Sequence, residues 1–321
     1  MWQTKVGAAA LCGALRRQYT LCNLQPGETV ALLSDAASDR QLVDAAFEVA
    51  SEMGAVAYEL RVHTGTDDRF MQSNPFLAPG LLDAVAGANL ILSFFVGQLS
   101  GWERQARANG ARLLNVNDVP SQLIRLQTNP EIKAAVLAAG KRLGEAKKVQ
   151  VLSEAGTDLT FYADPELPIA AQYGYSDTPG SAHQWGQAMV ACFPPEGAAH
   201  GRVVIKPGDV WILPFVRMVA STIDLEIRDG YVQSVKGGAD AGVFQRTLER
   251  AKTSEADRDP FAVSHLGWGL NPKAQWDDIM QEEDNSYWIN TSLRSYPGNF
   301  LFSTGPGPKR KTKGHIDLPM N

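Results

Sequence analysis

Between Thr29 and Val116 the chain alternates short apolar runs with segments of helical period, an order that few architectures accept. Thr29-Val30-Ala31-Leu32-Leu33-Ser34 is one such run, bounded by Pro26-Gly27 and by Asp35. Leu42, Val43, Ala46, Val49 and Ala50 then recur at helical spacing over residues 39–53, with Ser38 as the expected N-cap and Gly54 as the stop. Ala55 to Val62 reads as a strand, Leu81 to Ala86 as a short helix, and Asn89 to Phe95 as a buried strand. Trp102 to Asn109 reads as a helix and Arg112 to Val116 as a further strand. The order predicts a mainly parallel sheet covered by helices on both faces.

The pattern changes after a helix expected from Pro130 to Glu145. Residues 149–153 and 159–162, separated by Gly156-Thr157-Asp158, read as a hairpin. Strands over 209–213, 222–227 and 231–235 follow, with Arg228-Asp229-Gly230 as a turn, and then a helix over 242–252. The expectation is an α/β domain over 1–146 and an α+β domain over 147–321.

Composition narrows the partners. With 44% hydrophobic and 20% charged residues, 321 residues suffice for two cores. A net charge of −5 argues against nucleic acid or an anionic membrane as the main partner. Lys309-Arg310-Lys311 is a basic exception, expected to be a solvated face. No apolar run reaches the roughly 20 residues of a membrane span. Val6 to Leu15 resembles a short signal core, but Arg16-Arg17-Gln18-Tyr19 follows without a cleavage site, so an amphipathic first helix is expected. Three cysteines without a C-x-x-C suggest neither a disulfide framework nor a thiolate metal site, and the chain reads as cytoplasmic.

No G-x-G-x-x-G follows the first strand, so a nicotinamide cofactor is not indicated. Gly305-Pro306-Gly307-Pro308 lacks a following helix, its prolines remove amides a phosphate would need, and it reads as a turn. Five histidines remain: His63, His183, His200, His265 and His315. His63 and His200 read as surface loop residues. In an extended His315-Ile316-Asp317 the imidazole and carboxylate point the same way while Ile316 faces a core. A surface histidine bonded to a neighbouring Asp would look the same. His265 lies in His265-Leu266-Gly267-Trp268-Gly269-Leu270-Asn271-Pro272, where the glycines permit close backbone approach and Asn-Pro forces a turn. His265, His315 and Asp317 together suit ferrous iron with open positions, or zinc with one water.

These two segments, with Tyr173-Gly174-Tyr175-Ser176-Asp177-Thr178-Pro179-Gly180 and the βα first half, resemble the 2,5-dihydroxypyridine 5,6-dioxygenases. The family is similar in turn to the M29 aminopeptidases, whose E-L-G-x-G-x-N-P carries glutamate where this chain has His265. Their D-E-K-x-G-G-T-x-H is degraded here to residues 282–290, without its histidine. Glu282, Glu283 and Asp284 read as a solvated acidic turn, and Asp209 as a turn residue.

The resemblance implies an Fe(II) extradiol-type dioxygenase of nicotinate breakdown, opening 2,5-dihydroxypyridine with O2 to N-formylmaleamate. His265, His315 and Asp317 are the metal ligands it implies. Residues 172–185 are the expected substrate loop, with Gln172, Tyr173, Tyr175 and Trp185 as contacts and His183 as the catalytic proton carrier or oxygen contact. A hydrophobic minicore with a surface histidine is the competing reading of that loop. Ser292 and Arg294, with Thr291, are placed on a strand approaching the metal as further substrate contacts.

The chain departs from its relatives in carrying Gln172 where they have an acidic residue. It also has no histidine between His63 and His183, a place Gln98 is expected to fill without the ability to take a proton. Relatives also continue further past the aspartate than the four residues after Asp317. A homo-oligomer, a hexamer among its forms, is expected. The alternatives are a zinc or cobalt aminopeptidase-like hydrolase, and a non-catalytic protein that binds small molecules.

Overall fold

The computed structural model describes the chain apart from residues 1–5, 64–75, 77, 96–100, 163, 165, 214–215, 282–290, 309, 311 and 313. Gln98, the acidic run 282–284 and two of the three basic residues at 309–311 therefore lie outside the described residues. The chain divides into two units: Met1–Pro130 with Tyr173–Gln187, and Glu131–Gln172 with Ala188–Asn321.

A single break after residue 146 differs from this partition in two places, each with a local cause. Ala182–Gln184 adds to the first sheet as a strand parallel to Arg112–Asn115, which draws residues 173–187 into the first unit. The helix Pro130–Glu145 lies with the second unit because Gly140 presents a bare backbone to Ile169, Ala171 and Val190.

In the first unit the helix Ala8–Leu21 buries Leu11, Ala14, Leu15 and Gln18, the one-sided stripe of an amphipathic helix. The sheet is parallel throughout, in the order Val56–Arg61, Thr29–Ser34, Leu90–Ser93, Arg112–Asn115, Ala182–Gln184. Leu90–Ser93 and Arg112–Asn115 are buried at every position, as strands covered on both faces must be. Arg112 tolerates this because its guanidinium donates to the carbonyls of Cys22 and Asn23 and pairs with Glu28. The helix Arg40–Glu52 is capped by Asp39, whose carboxylate accepts from the amide of Leu42, rather than by Ser38. Ser38 instead bonds Asp35.

The second unit holds two antiparallel five-stranded sheets. One runs Tyr231–Gly237, Ile223–Arg228, Ala199–Ile205, Asp158–Tyr162, Lys148–Leu152, and contains the expected hairpin. Asp229 and Gly230 both take positive φ, the pair a type I′ hairpin turn requires. His200 lies on a strand of this sheet and not in a loop, though it is exposed as expected. The other sheet runs Ile316–Met320, Phe300–Thr304, Val263–Gly269, Met189–Cys192, Ile169–Gln172. Ile316, Leu318, Phe302 and Leu266 lie on one face and are inaccessible to solvent, so this sheet has a core face. Among the described residues no helix is long and apolar enough to cross a membrane. All three cysteines are free.

Candidate metal centre

His265, Asp317 and His315 come from the two strands that flank Phe300–Thr304, with His315 just ahead of the last strand. The register runs Val263↔Thr304 and then Leu266↔Phe302, so the His265 strand carries one extra residue at this point. Such a bulge re-aims side chains, and here it falls on Ser264-His265. The register beyond it sets His265 opposite Ser303, and Ser303 pairs with Asp317. Period-two alternation then places His265, Ser303, Asp317 and His315 on one face of the sheet.

Close backbone approach holds this frame. A Cβ on Gly314 would lie 2.7 Å from Cβ of Pro260 and 2.8 Å from Cβ of Ala251. One on Gly269 would meet the backbone of Ser295 and Tyr296 at 2.2–2.4 Å. Asn271 closes the following turn by accepting from Lys273 with its side chain and from Ala274 with its carbonyl. Asp209 is a turn residue, as expected, but a buried one that also accepts from the amide of Asn321. Arg310 corrects the expectation of a solvated basic face. Its side chain is only 10% exposed, donates to the carbonyl of Val263 at 2.7 Å and pairs with Glu196.

One ligand atom from each of His265, His315 and Asp317 lies within 4.8 Å of the others. Oδ1 of Asp317 is 3.4 Å from Nε2 of each histidine. Nδ1 of His315 lies 2.8 Å from the carbonyl oxygen of Thr304, the contact of an Nδ1–H donor, which leaves Nε2 as the electron-pair donor. Phe193 meets His265 edge-on at 5.8 Å. Loss of solvation pushes the His265 imidazole down to about 4, against the attraction of Asp317, so it is neutral at pH 7. Burial opposes ionisation of Asp317, but His315, Arg294 and His265 outweigh it and hold the carboxyl well below the usual range. Asp317 Oδ1, Arg294 Nη1 and Thr304 Oγ1 are buried without hydrogen-bond partners among the described residues. Two imidazole nitrogens and an ionised carboxylate with an orphaned oxygen fit a divalent cation.

Thr291–Ser295 is a short helix, not the expected strand. Arg294 on it donates from Nε and Nη2 to Oδ2 of Asp317. Ser292 is wholly buried, and its hydroxyl accepts from the amide of Gln275 and donates to the same residue's carbonyl, so it ties the helix to the preceding turn.

Gln172 ends a strand of the second unit and is half-buried. Tyr173, Tyr175, His183 and Trp185 belong to the first unit and are all buried. His183 is on a strand, with its ring centroid 3.8 Å from that of Tyr173, and Nδ1 accepts from the Tyr173 amide at 3.4 Å. Tyr173 packs edge-on against Tyr175 and donates its hydroxyl to Asp177. Nε1 of wholly buried Trp185 has no hydrogen-bond partner among the described residues.

Sequence reasoning missed Ser303, Thr304 and Asn299. The available signal was polar Ser303-Thr304 closing the apolar run Phe300-Leu301-Phe302. Asn299 accepts from the amide of Gly269 and donates to the carbonyls of Leu293 and Arg294, joining the His265 strand to the Arg294 helix.

The parallel sheet with separate antiparallel sheets is an M29 aminopeptidase-like fold: AmpT from Thermus thermophilus superposes with a TM-score of 0.57 at 11% identity, covering 96% of this chain and 92% of that one. A more similar structure is that of the 2,5-dihydroxypyridine dioxygenase from Pseudomonas putida KT2440, with a TM-score of 0.90 at 29% identity over 98% and 93% of the two chains. A 2,5-dihydroxypyridine 5,6-dioxygenase of Pseudomonas putida is 31% identical over 329 residues, covering 98% of this chain and 92% of its own length. Residues 10–321 match the family model NicX, 2,5-dihydroxypyridine 5,6-dioxygenase, and the chain belongs to that family of ring-cleaving oxidoreductases.

Proposed function

We propose that this chain is a mononuclear non-haem Fe(II) extradiol-type dioxygenase that opens the ring of 2,5-dihydroxypyridine, or of a close hydroxypyridine, to N-formylmaleamate. Family membership supports the reaction class. The observation that carries the metal centre is the partnerless Oδ1 of buried Asp317, clustered with one nitrogen each of His265 and His315. Two imidazoles and one carboxylate leave coordination positions for two reactants, which favours iron over a closed zinc site. When bound, the ferrous ion supplies joint binding of substrate and O2 and the electron transfer between them.

The overall change balances with O2 as the only co-reactant. The C5–C6 bond breaks, the hydroxyl-bearing carbon becomes a carboxyl and the neighbouring carbon a formyl group. Each carbon gains one oxygen atom, and carbon is oxidised as O2 is reduced. Arg294 presents Nη1, buried and without a partner among the described residues, as a donor for an anionic ring oxygen. His183 takes the proton-transfer role. Nδ1 accepts from the Tyr173 amide, so the ring hydrogen sits on Nε2; it leaves from there as Nδ1, freed of the amide, takes up another, which keeps the ring from becoming an imidazolate. Gln172, Tyr173, Tyr175 and Trp185 keep the substrate-contact roles that the resemblance assigns. We also propose that it serves nicotinate breakdown, as the resemblance implies, that it works in the cytoplasm, in keeping with its cysteine usage, and that it is a homo-oligomer with a hexamer among its forms.

The test is oxygen-electrode consumption with a panel of hydroxypyridines, with and without added Fe(II). Stoichiometric O2 uptake that needs Fe(II) supports the reading. Turnover that continues under nitrogen overturns it.

A further inference from the structure

Arginine commonly meets a carboxylate as a fork, one N–H to each oxygen. Arg294 does otherwise: Nε, at 3.1 Å, and Nη2 both donate to Oδ2 of Asp317. Oδ1 is left without a hydrogen bond, turned toward Nε2 of His265 and Nε2 of His315. The guanidinium has little room to swing to a forked pose, because its side chain is buried and its helix is held against the His265 strand at two points. Asn299 takes the carbonyl of Arg294 and the amide of Gly269 in one side chain. The missing side chain of Gly269 lets Ser295 and Tyr296 pack directly on the His265 strand.

We propose that Arg294 is a positioning residue that reserves Oδ2 of Asp317 for itself and so confines the carboxylate to ligation through Oδ1 alone. This rests on the metal-centre reading above. A carboxylate free to chelate through both oxygens would occupy one more coordination position, and a centre that must admit two reactants has none to spare. Arg294 therefore keeps a position open without itself being a ligand.

The probe is Co(II), whose visible absorption reports coordination number, titrated into metal-free wild type, Arg294→Gln and Arg294→Lys. With Oδ2 released, Arg294→Gln is expected to fold, to change the visible spectrum toward the weaker bands of higher coordination, and to alter Co(II) affinity by about 10–100-fold, the range for outer partners of metal ligands. Arg294→Lys, a cation with one donor in place of two, is expected to fall between. Should Arg294→Gln fail to fold by circular dichroism, the spectrum of Arg294→Lys decides alone: a shift supports the proposal and wild-type bands overturn it. Wild-type spectra and affinity in both variants overturn the positioning role and leave the metal centre standing. Wild-type protein that takes up neither Co(II) nor Fe(II) overturns both.

Discussion

Ser303 stands directly opposite Asp317 in the last strand pair, and its hydroxyl reaches the other way to donate to the carbonyl of His265 at 2.5 Å. One small side chain on the central strand thus ties together the strands that carry His265 and Asp317. Ser303→Ala should cost about 1 kcal/mol of stability, the net worth of one hydrogen bond. It should also weaken metal affinity by up to about tenfold as the bulge relaxes. Urea unfolding and Co(II) titration measure the two effects, and an unchanged affinity would confine Ser303 to the fold.

Removing a ligand should do far more. His265→Ala, His315→Ala and Asp317→Ala each delete one of three donor atoms, so activity should fall by more than about 100-fold, beyond the range of outer-shell changes. Metal content per chain should drop with it while circular dichroism stays native. Normal metal content in any of the three would remove that residue from the ligand set.

His183 separates chemistry from metal binding. His183→Gln should lower kcat by about 10²–10⁴-fold, the usual worth of a positioned proton carrier. Its metal content should stay at the wild-type level. A loss of metal in this variant would instead mark a structural defect.

Gly314 carries His315 into place, and its α-carbon faces Pro260 and Ala251 with no room for a methyl group. Gly314→Ala should lower stability by about 1–3 kcal/mol, the cost of overpacking. Thermal unfolding of metal-free protein reads this directly, without interference from a changed centre.

Asp240 gives a pH signature away from the centre. Burial would raise its carboxyl, but Arg217 and the amides of Ser221 and Ala220 outweigh that and hold it below its ordinary value of 3.8. A carboxylate lowered in this way adds stability above its unfolded pKa, and the contribution fades as pH falls through the lowered folded value. Asp240→Asn should therefore be less stable than wild type near neutrality, with the gap closing in acid below 3.8. Denaturant midpoints for both proteins from neutral to acidic pH test the sign.

Local pattern was enough for the βα half, because a parallel strand buried on both faces must be apolar along its length, as Leu90–Ser93 nearly is. Ala182–Gln184 escaped that logic: Ala-His-Gln has no strand signal of its own and pairs only because Arg112–Asn115 offers an edge. The Arg294 helix read as a strand because its five residues are too few to show a period, and Asn299 and Gly269 hold it in place.

The sequence by itself determined which side chains could meet at a metal: a histidine and an aspartate two apart in an extended segment must share a face, and glycines on either side leave room for backbone. Tertiary structure alone decided how His265 reaches them, through one extra residue opposite Ser303, and that Arg294 takes a single oxygen of Asp317. Register, bulge and cross-strand partners depend on contacts between residues dozens of positions apart, and local periodicity carries no record of them.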